Sequence, residues 1–146
     1  DNGNFEPNRS IKREEFAKIL VLAFNLQAKD EDKLFTDVKD TEWYYEYVKI
    51  AAQNGIINGI GDGVFGVSVE LSRQDIAVMI ARVLNKNEAS EEIFNDDSEI
   101  SSYAKDAVYT LKNLGVLNGT GNGNFEPKRS VTRAECAKIV YELIRK

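Results

Sequence analysis

Three arginines, Arg13, Arg73 and Arg133, recur at intervals of 60 residues, each at the start of a segment with helical periodicity. In the first turn of a helix the macrodipole favours acids and disfavours a cation, by about 0.3–1 kcal/mol. A position that repeatedly accepts that penalty needs a reason. Two readings stand. One is an ion pair with an acid such as Asp37 or Asp96 of the neighbouring segment. The other is a guanidinium that, together with helix N–H donors, clamps an anionic group such as a carboxylate. Trp43, and Tyr103 at the equivalent position, bring an aromatic ring to each neighbourhood. Core packing is the default for such a ring, and stacking on a sugar at a groove edge is the sharper alternative. Tyr44 and Tyr45 adjoin Trp43, and three consecutive rings cannot all face one core, so at least one should be exposed. Arg9 and Arg129, a single repeat position, either help to bind an anion or cap a carbonyl.

The rest of the composition removes most other chemistry. With 146 residues, 42% hydrophobic and 29% charged, the chain is long enough to bury a core and reads as a folded, soluble domain. It carries 19 basic against 24 acidic residues, a net charge of −5, which argues against nucleic-acid partners because phosphate neutralisation needs a basic face. The absence of histidine removes Ser-His-Asp and Cys-His nucleophiles, histidine metal sites and the usual general base near neutral pH. Cys136 is the only cysteine, so neither an internal disulfide nor a zinc cluster is available. It takes the helix position of Phe16 and Ile76 and is expected in the core. The loop Gly59-Ile60-Gly61-Asp62-Gly63 lacks the acid series of an EF-hand and the Gly-Lys-Ser/Thr of a P-loop. No apolar run approaches the roughly twenty residues of a membrane span. The start, Asp1-Asn2-Gly3-Asn4, does not read as a signal peptide. No base, nucleophile or metal set converges, so neither an enzyme, a cofactor, a metal nor membrane insertion is expected.

Internal repetition supplies the elements that position these residues. Residues 1–19 laid on 121–139 match at 13 of 19 positions, with Asn-Gly-Asn-Phe-Glu-Pro-x-Arg-Ser shared. A looser copy runs through Gly63, Phe65, Arg73, Asp75 and Ala77. Upstream, Gly55-Ile56-Ile57-Asn58-Gly59 matches Gly115-Val116-Leu117-Asn118-Gly119. All ten glycines and both prolines fall in these loops, the punctuation of helix, ordered loop, helix. Each full unit opens with Phe-x-Asp, at Phe35-Thr36-Asp37 and Phe94-Asn95-Asp96. A first helix then carries Trp43, Tyr47, Val48, Ala51 and Ala52, or Tyr103, Ala107, Val108, Leu111 and Leu114. Gly55 and Gly115 stand where a helix ends in a left-handed residue. The second helix has apolar positions 76, 79, 80, 83 and 84, matched by 136, 139, 140, 143 and 144 and by Phe16, Ile19, Leu20, Ala23 and Phe24. Thr132-x-x-Glu135 reads as a capping box and Ser72-x-x-Asp75 as its shorter relative, whereas Lys12 cannot cap through its side chain. Residues 28–34 and 86–92 are linkers. The second helix of one unit is expected to pack on the first helix of the next, giving about five helices and no substantial sheet.

This pattern resembles the S-layer homology (SLH) family. The resemblance rests on Phe-x-Asp, the aromatic twelve residues before the helix-ending glycine, Gly-Ile-Ile-x-Gly, the Gly-x-Phe-x-Pro loop, and Val131-Thr132-Arg133-Ala134-Glu135. It covers 1–27 as the second half of a first repeat, 35–85 as a second repeat and 94–146 as a third, together one structural domain. Lys12, the loose Leu71-Ser72-Arg73-Gln74-Asp75 and Gly66-Val67 depart from the motif. The resemblance implies an all-α, pseudo-threefold, three-pronged domain. By the same resemblance it holds secreted proteins on the Gram-positive cell wall, binding pyruvylated secondary cell-wall polysaccharide in grooves between repeats. The chain is then expected to be extracellular, in the cell wall or S-layer. The residues implied are Arg13 with Asp37 and Trp43, Arg73 with Asp96, Asp97 and Tyr103, and Arg133 in a third, incomplete groove, so two competent sites at most. The other reading is a protein–protein module that docks further S-layer subunits. Arg73→Lys is expected to weaken polysaccharide binding and leave thermal stability little changed, since the residue stands at a helix start.

Overall fold

The computed structural model describes residues 3–88 and 93–145, so residues 89–92 of the 86–92 linker, with Asp1, Asn2 and Lys146, lie outside it. The described residues form five α-helices, α1 (Arg13–Ala23), α2 (Tyr45–Gln53), α3 (Arg73–Leu84), α4 (Lys105–Asn113) and α5 (Arg133–Ile144). Two 3₁₀ turns, Asp97–Glu99 and Ser102–Ala104, lead into α4. Among the described residues strand pairing is limited to isolated bridges, so the fold is all-α. Two compact units emerge, Lys12–Glu70 and the remainder, in which residues up to Ile11 join those from Leu71 onward.

In the unit Lys12–Glu70, α1 packs on α2. Phe16, Ala17, Leu20 and Val21 are buried, as are Val48, Ala51 and Ala52. The buried stripe of α1 therefore runs through Ala17 and Val21, not through Ile19, Ala23 and Phe24, which stay partly or fully exposed. Alanine at the contact line lets the two helix backbones approach. α2 ends as its sequence predicts: Gly55 sits at φ +74, its N–H donates to the Ala52 carbonyl, and Ile56 N–H donates to Ala51 while its side chain is buried.

The second unit repeats this arrangement with α3 on α4, so the second helix of one repeat does pack with the first helix of the next. Its centre is a closed ring of backbone hydrogen bonds among three equivalent residues. Ile11 N–H donates to Val131 (2.8 Å), Val131 N–H to Leu71 (3.0 Å) and Leu71 N–H to Ile11 (3.0 Å). All three side chains are buried. Burying three peptide groups demands that each find a partner, and the ring satisfies them mutually. Cys136 is a buried residue of α5.

Trp43 and Tyr103 do not lie on the first helices. Each falls in the turn before its helix, Trp43 ahead of Tyr45 and Tyr103 in the 3₁₀ turn ahead of Lys105, and their rings are 53% and 60% exposed. Tyr44 takes the core position instead.

Glycine is required sterically at Gly59. A β-carbon there would lie 2.5 Å from the Val64 carbonyl oxygen and 2.9 Å from the Phe35 ring, whereas one on Gly55 meets nothing. Both residues have positive φ. Gly55→Ala is expected to lower stability by about 1–2 kcal/mol through φ alone. Gly59→Ala should lower it further, because Val64 O also accepts from Ile60 N–H (2.8 Å) and cannot retreat. Urea unfolding midpoints in that order check the account; equal midpoints contradict it.

Candidate anion-binding site

The repeated arginines are fixed by the loop phenylalanine of each repeat. Arg73 Nε donates to the Phe125 carbonyl (2.7 Å), Nη2 donates to Asn118 O (2.8 Å), and the guanidinium lies 4.8 Å from the Phe125 ring centroid. Arg13 does the same with Phe65, at 3.0 Å to its carbonyl and 5.1 Å to its ring. Arg133 Nε donates to the Phe5 carbonyl (2.8 Å) with the cation 5.4 Å from that ring. Phe65 and Phe125 are fully buried, whereas Phe5 is 53% exposed.

The acids of Phe-x-Asp hold the same phenylalanines from their other side. Asp37 accepts from the N–H groups of Phe65 (2.7 Å), Gly66 (2.8 Å) and Val67 (3.0 Å), and Asp96 from Phe125 and Glu126 (both 2.7 Å). Convergence of consecutive N–H groups on one carboxylate needs an unusual backbone. Position 66/126/6 has positive φ in every copy, at +90 for Gly66, +59 for Glu126 and +51 for Glu6. Gly66, a departure from the motif, is thus the residue best suited to its conformation. The phenylalanines of Phe-x-Asp complete the clasp, Phe35 with its ring 5.6 Å from Phe65 and Phe94 5.2 Å from Phe125.

Helix-start N–H groups are occupied by protein. Arg73 N–H donates to Arg129 O and Gln74 N–H to Pro127 O, both at 3.0 Å. Arg133 and Ala134 donate to Arg9 and Pro7, and Arg13 to Val69. Asp75 N–H is taken by Ser72 Oγ and Glu135 N–H by Thr132 Oγ1. The predicted caps at Ser72, Thr132 and Glu135 are in place, whereas the capping role expected of Asp75 is corrected, since its carboxylate accepts from the hydroxyls of Ser72 (2.7 Å) and Tyr103 (2.8 Å). Glu15 accepts from Lys12 N–H (2.9 Å), the one half of a capping box that lysine permits. The expectation that helix N–H donors clamp an anion is therefore corrected: the loop carbonyls already fill them. Arg73 is also only 8% exposed and holds two loop carbonyls, so the expectation that Arg73→Lys spares stability is corrected as well.

Beside Arg73 opens a cavity of about 550 Å³, walled by the loop from Gly115 to Thr120 and by side chains of α5. Its charged lining is Arg73, Arg129 and Lys138 against Glu135 and Glu142. Arg129 Nη2 pairs with Glu135 Oε1 at 2.8 Å and Nε with Glu126 at 2.9 Å. Burial, and next the Arg129 cation, push the Arg73 guanidinium below its ordinary pKa. Two guanidiniums thus line one opening, Arg129 paired with Glu135 and Glu126, and Arg73 held by two loop carbonyls. Asp96 grips Phe125 on the opposite side from Arg73. Asp97 pairs with Lys105 (2.6 Å) and with Tyr109 Oη (2.8 Å). Tyr103 Oη donates to Asp75 (2.8 Å) and does not line this cavity. In the unit Lys12–Glu70, Trp43 packs edge-on against Tyr44 beneath the Lys18 ammonium. Among the described residues no cluster of three or more His, Cys, Asp or Glu side chains is suited to a metal ion, and no helix is long and apolar enough to cross a membrane.

The S-layer homology domain model matches residues 1–17, 34–77 and 93–137. The chain belongs to the S-layer homology family. It is 33% identical over 146 residues to an endoglucanase of Bacillus sp. (strain KSM-635), covering 96% of this chain and 15% of that protein. It is 31% identical to the surface-layer 125 kDa protein of Lysinibacillus sphaericus, over 98% of the chain and 12% of that protein. To the S-layer protein sap of Bacillus anthracis it is 29% identical, over 96% of the chain and 17% of that protein. The SLH chain thus spans less than a fifth of each of these relatives.

Sequence reasoning passed over Lys138, Glu142 and Asn118. A signal for Lys138 existed, because Ala-Lys-Ile follows the motif glutamate in both Glu15-Phe16-Ala17-Lys18 and Glu135-Cys136-Ala137-Lys138.

Three carboxylates are held below their ordinary values, Asp97 by the hydrogen bonds of Lys105 and Tyr109 and, within the clasp and the cavity, Asp37 and Glu135. The Arg129 hydrogen bond holds Glu135 below its ordinary value, over opposing burial. Burial raises Asp37, but the N–H groups of Val67, Phe65 and Gly66 more than reverse it. Folded values below the unfolded ones mean that both contributions are complete above the ordinary values of 4.5 and 3.8 and disappear as pH falls through the lowered ones. The thermal midpoint should be flat from about pH 7 to about pH 5 and fall below about pH 4. Asp37→Asn should lower it at neutral pH and flatten the acid limb; an unchanged limb contradicts the assignment.

Proposed function

We propose that this SLH domain anchors its parent protein noncovalently at the bacterial cell surface by binding an anionic, pyruvylated secondary cell-wall polysaccharide. The observation that carries the reading is the cavity beside Arg73, about 550 Å³, into which Arg73, Arg129 and Lys138 bring positive charge. Its volume suits a hexose with a ketal-linked carboxylate. Arg73 presents its remaining guanidinium hydrogens from a position fixed by Phe125 and Asn118, and the exposed Lys138 adds an ammonium to the lining. Asp96 is a positioning residue, since it holds Phe125, whose carbonyl in turn holds Arg73. Arg13 and Asp37 play the same paired role around Phe65, and Arg133 around Phe5. The occurrence of similar segments in S-layer proteins and in a surface-layer protein supports an extracellular, wall-bound role. The pseudo-threefold arrangement that the family implies belongs to the same proposal.

The repeats differ at the charged positions. Arg129, Lys138 and Glu142 correspond to Val69, Val78 and Arg82 sixty residues earlier, so the middle copy lacks this charge set, whereas the first copy keeps Arg9 and Lys18 at the positions of Arg129 and Lys138. Lys138→Glu should weaken sedimentation with purified walls by about tenfold and leave the thermal midpoint unchanged, since Lys138 is exposed. Arg73→Lys should lower both binding and stability. Walls treated with mild acid to remove the ketal pyruvate should lose the wild-type protein. Equal sedimentation with intact and polysaccharide-free walls would overturn the reading and favour docking on another surface protein.

A further inference from the structure

The two helix pairs are equivalent in sequence, and they differ in what fills the groove along their outer side. In the pair α1–α2 the Lys18 ammonium lies over the Tyr47 ring (5.1 Å) and the Trp43 ring (5.4 Å), so the groove is plugged by side chains. In the pair α3–α4 the positions of Lys18 and Tyr47 are held by Val78 and Ala107, and that of Val21 by Ala81. These side chains are too short to meet, and a cavity of about 320 Å³ remains.

The lining of this cavity is chemically distinct from the anion site. Tyr103 exposes its ring, yet its hydroxyl is pinned: Oη donates to Asp75 (2.8 Å) and accepts from Gln74 Nε2 (3.0 Å). A ring held at one end with an open face is a preorganised stacking platform, for which little rotamer entropy is lost on binding. The rim carries Asn85 and Asn87, amides that both donate and accept, and Asp106, a carboxylate that accepts. Arg82 and Lys86, also on the rim, stand where the first pair has Leu22 and Leu26. Opposed only by Asp106, they leave the lining with one net positive charge, so the tyrosine face and not the charge sets this groove apart.

We propose that this groove is a second saccharide site, taking a neutral hexopyranose with its C–H face on Tyr103 and its hydroxyls on the Asn85, Asn87 and Asp106 side chains. The proposal extends the anchoring reading to the uncharged part of the polymer and rests on it in treating the ligand as a saccharide. The probe is the neutral tetramer of N-acetylglucosamine, titrated into the full chain and followed by amide NMR. Shift changes are expected in residues 78–87 and 103–107. Ala107→Tyr, which restores the plug of the other pair, and Tyr103→Ala, which removes the platform, should each weaken the probe by about tenfold or more. Circular dichroism reports folding, and should Ala107→Tyr fail to fold, Tyr103→Ala decides alone. Shift changes elsewhere, unchanged affinity in the folded variants, or no response at about 10 mM probe overturns the proposal. Because the probe carries no charge, failure here is separate from failure of the anion site, which wall sedimentation reads.

Discussion

Each full repeat is organised by a clasp on one residue: a phenylalanine whose N–H is held by a carboxylate and whose carbonyl is held by a guanidinium. Phe65 lies between Asp37 and Arg13, and Phe125 between Asp96 and Arg73. The clasp explains why a cation is tolerated at a helix start. The dipole penalty of about 0.3–1 kcal/mol is offset by a charge-assisted hydrogen bond worth about 1.5–3 kcal/mol and by the ring beneath it. It also gives the short motifs a common purpose. Phe-x-Asp supplies one ring and one carboxylate, the glycine turn allows the close approach at Phe35 or Phe94, and position 66/126 bends so that its N–H reaches the acid.

The same clasp builds the wall of the cavity. Arg73 is held by Phe125 and Asn118 at the edge of the opening, so its charge is in place before any ligand arrives. A net charge of −5 opposes an anionic polymer at long range, but screening lengths of about 8 Å at physiological salt let a local group of cations act against that field. Arg129, tied to Glu135 and Glu126, adds a second fixed guanidinium.

Much of this was legible in the sequence where the cause is local. The glycine-ended α2 and α4, the Ser72 and Thr132 caps and the pairing of consecutive helices follow from spacing and chain connectivity. What escaped depends on partners far away in the chain. Nothing near Arg73 announces a carbonyl 52 residues on, and so an ion pair and an anion clamp looked like the choices. The helix-start N–H groups are filled by loop carbonyls from another repeat, which no capping rule describes. Trp43 and Tyr103 were misplaced for a different reason. Their helices begin two residues later, and that shift turns the rings from the buried stripe to the surface. The cavity residues Lys138 and Glu142 lie one turn apart on an otherwise ordinary polar face, where only the tertiary fold gives them a common neighbour.

The clasp itself is tested most directly by a double-mutant cycle on Arg73→Met and Asp96→Asn, read by urea unfolding. The two side chains grip Phe125 from opposite ends without touching each other's charge in an ion pair. If they act through one residue, the double variant should lose less than the sum of the singles, with a coupling of about 1–3 kcal/mol. Additivity within about 0.5 kcal/mol would show two independent contacts and would contradict the account.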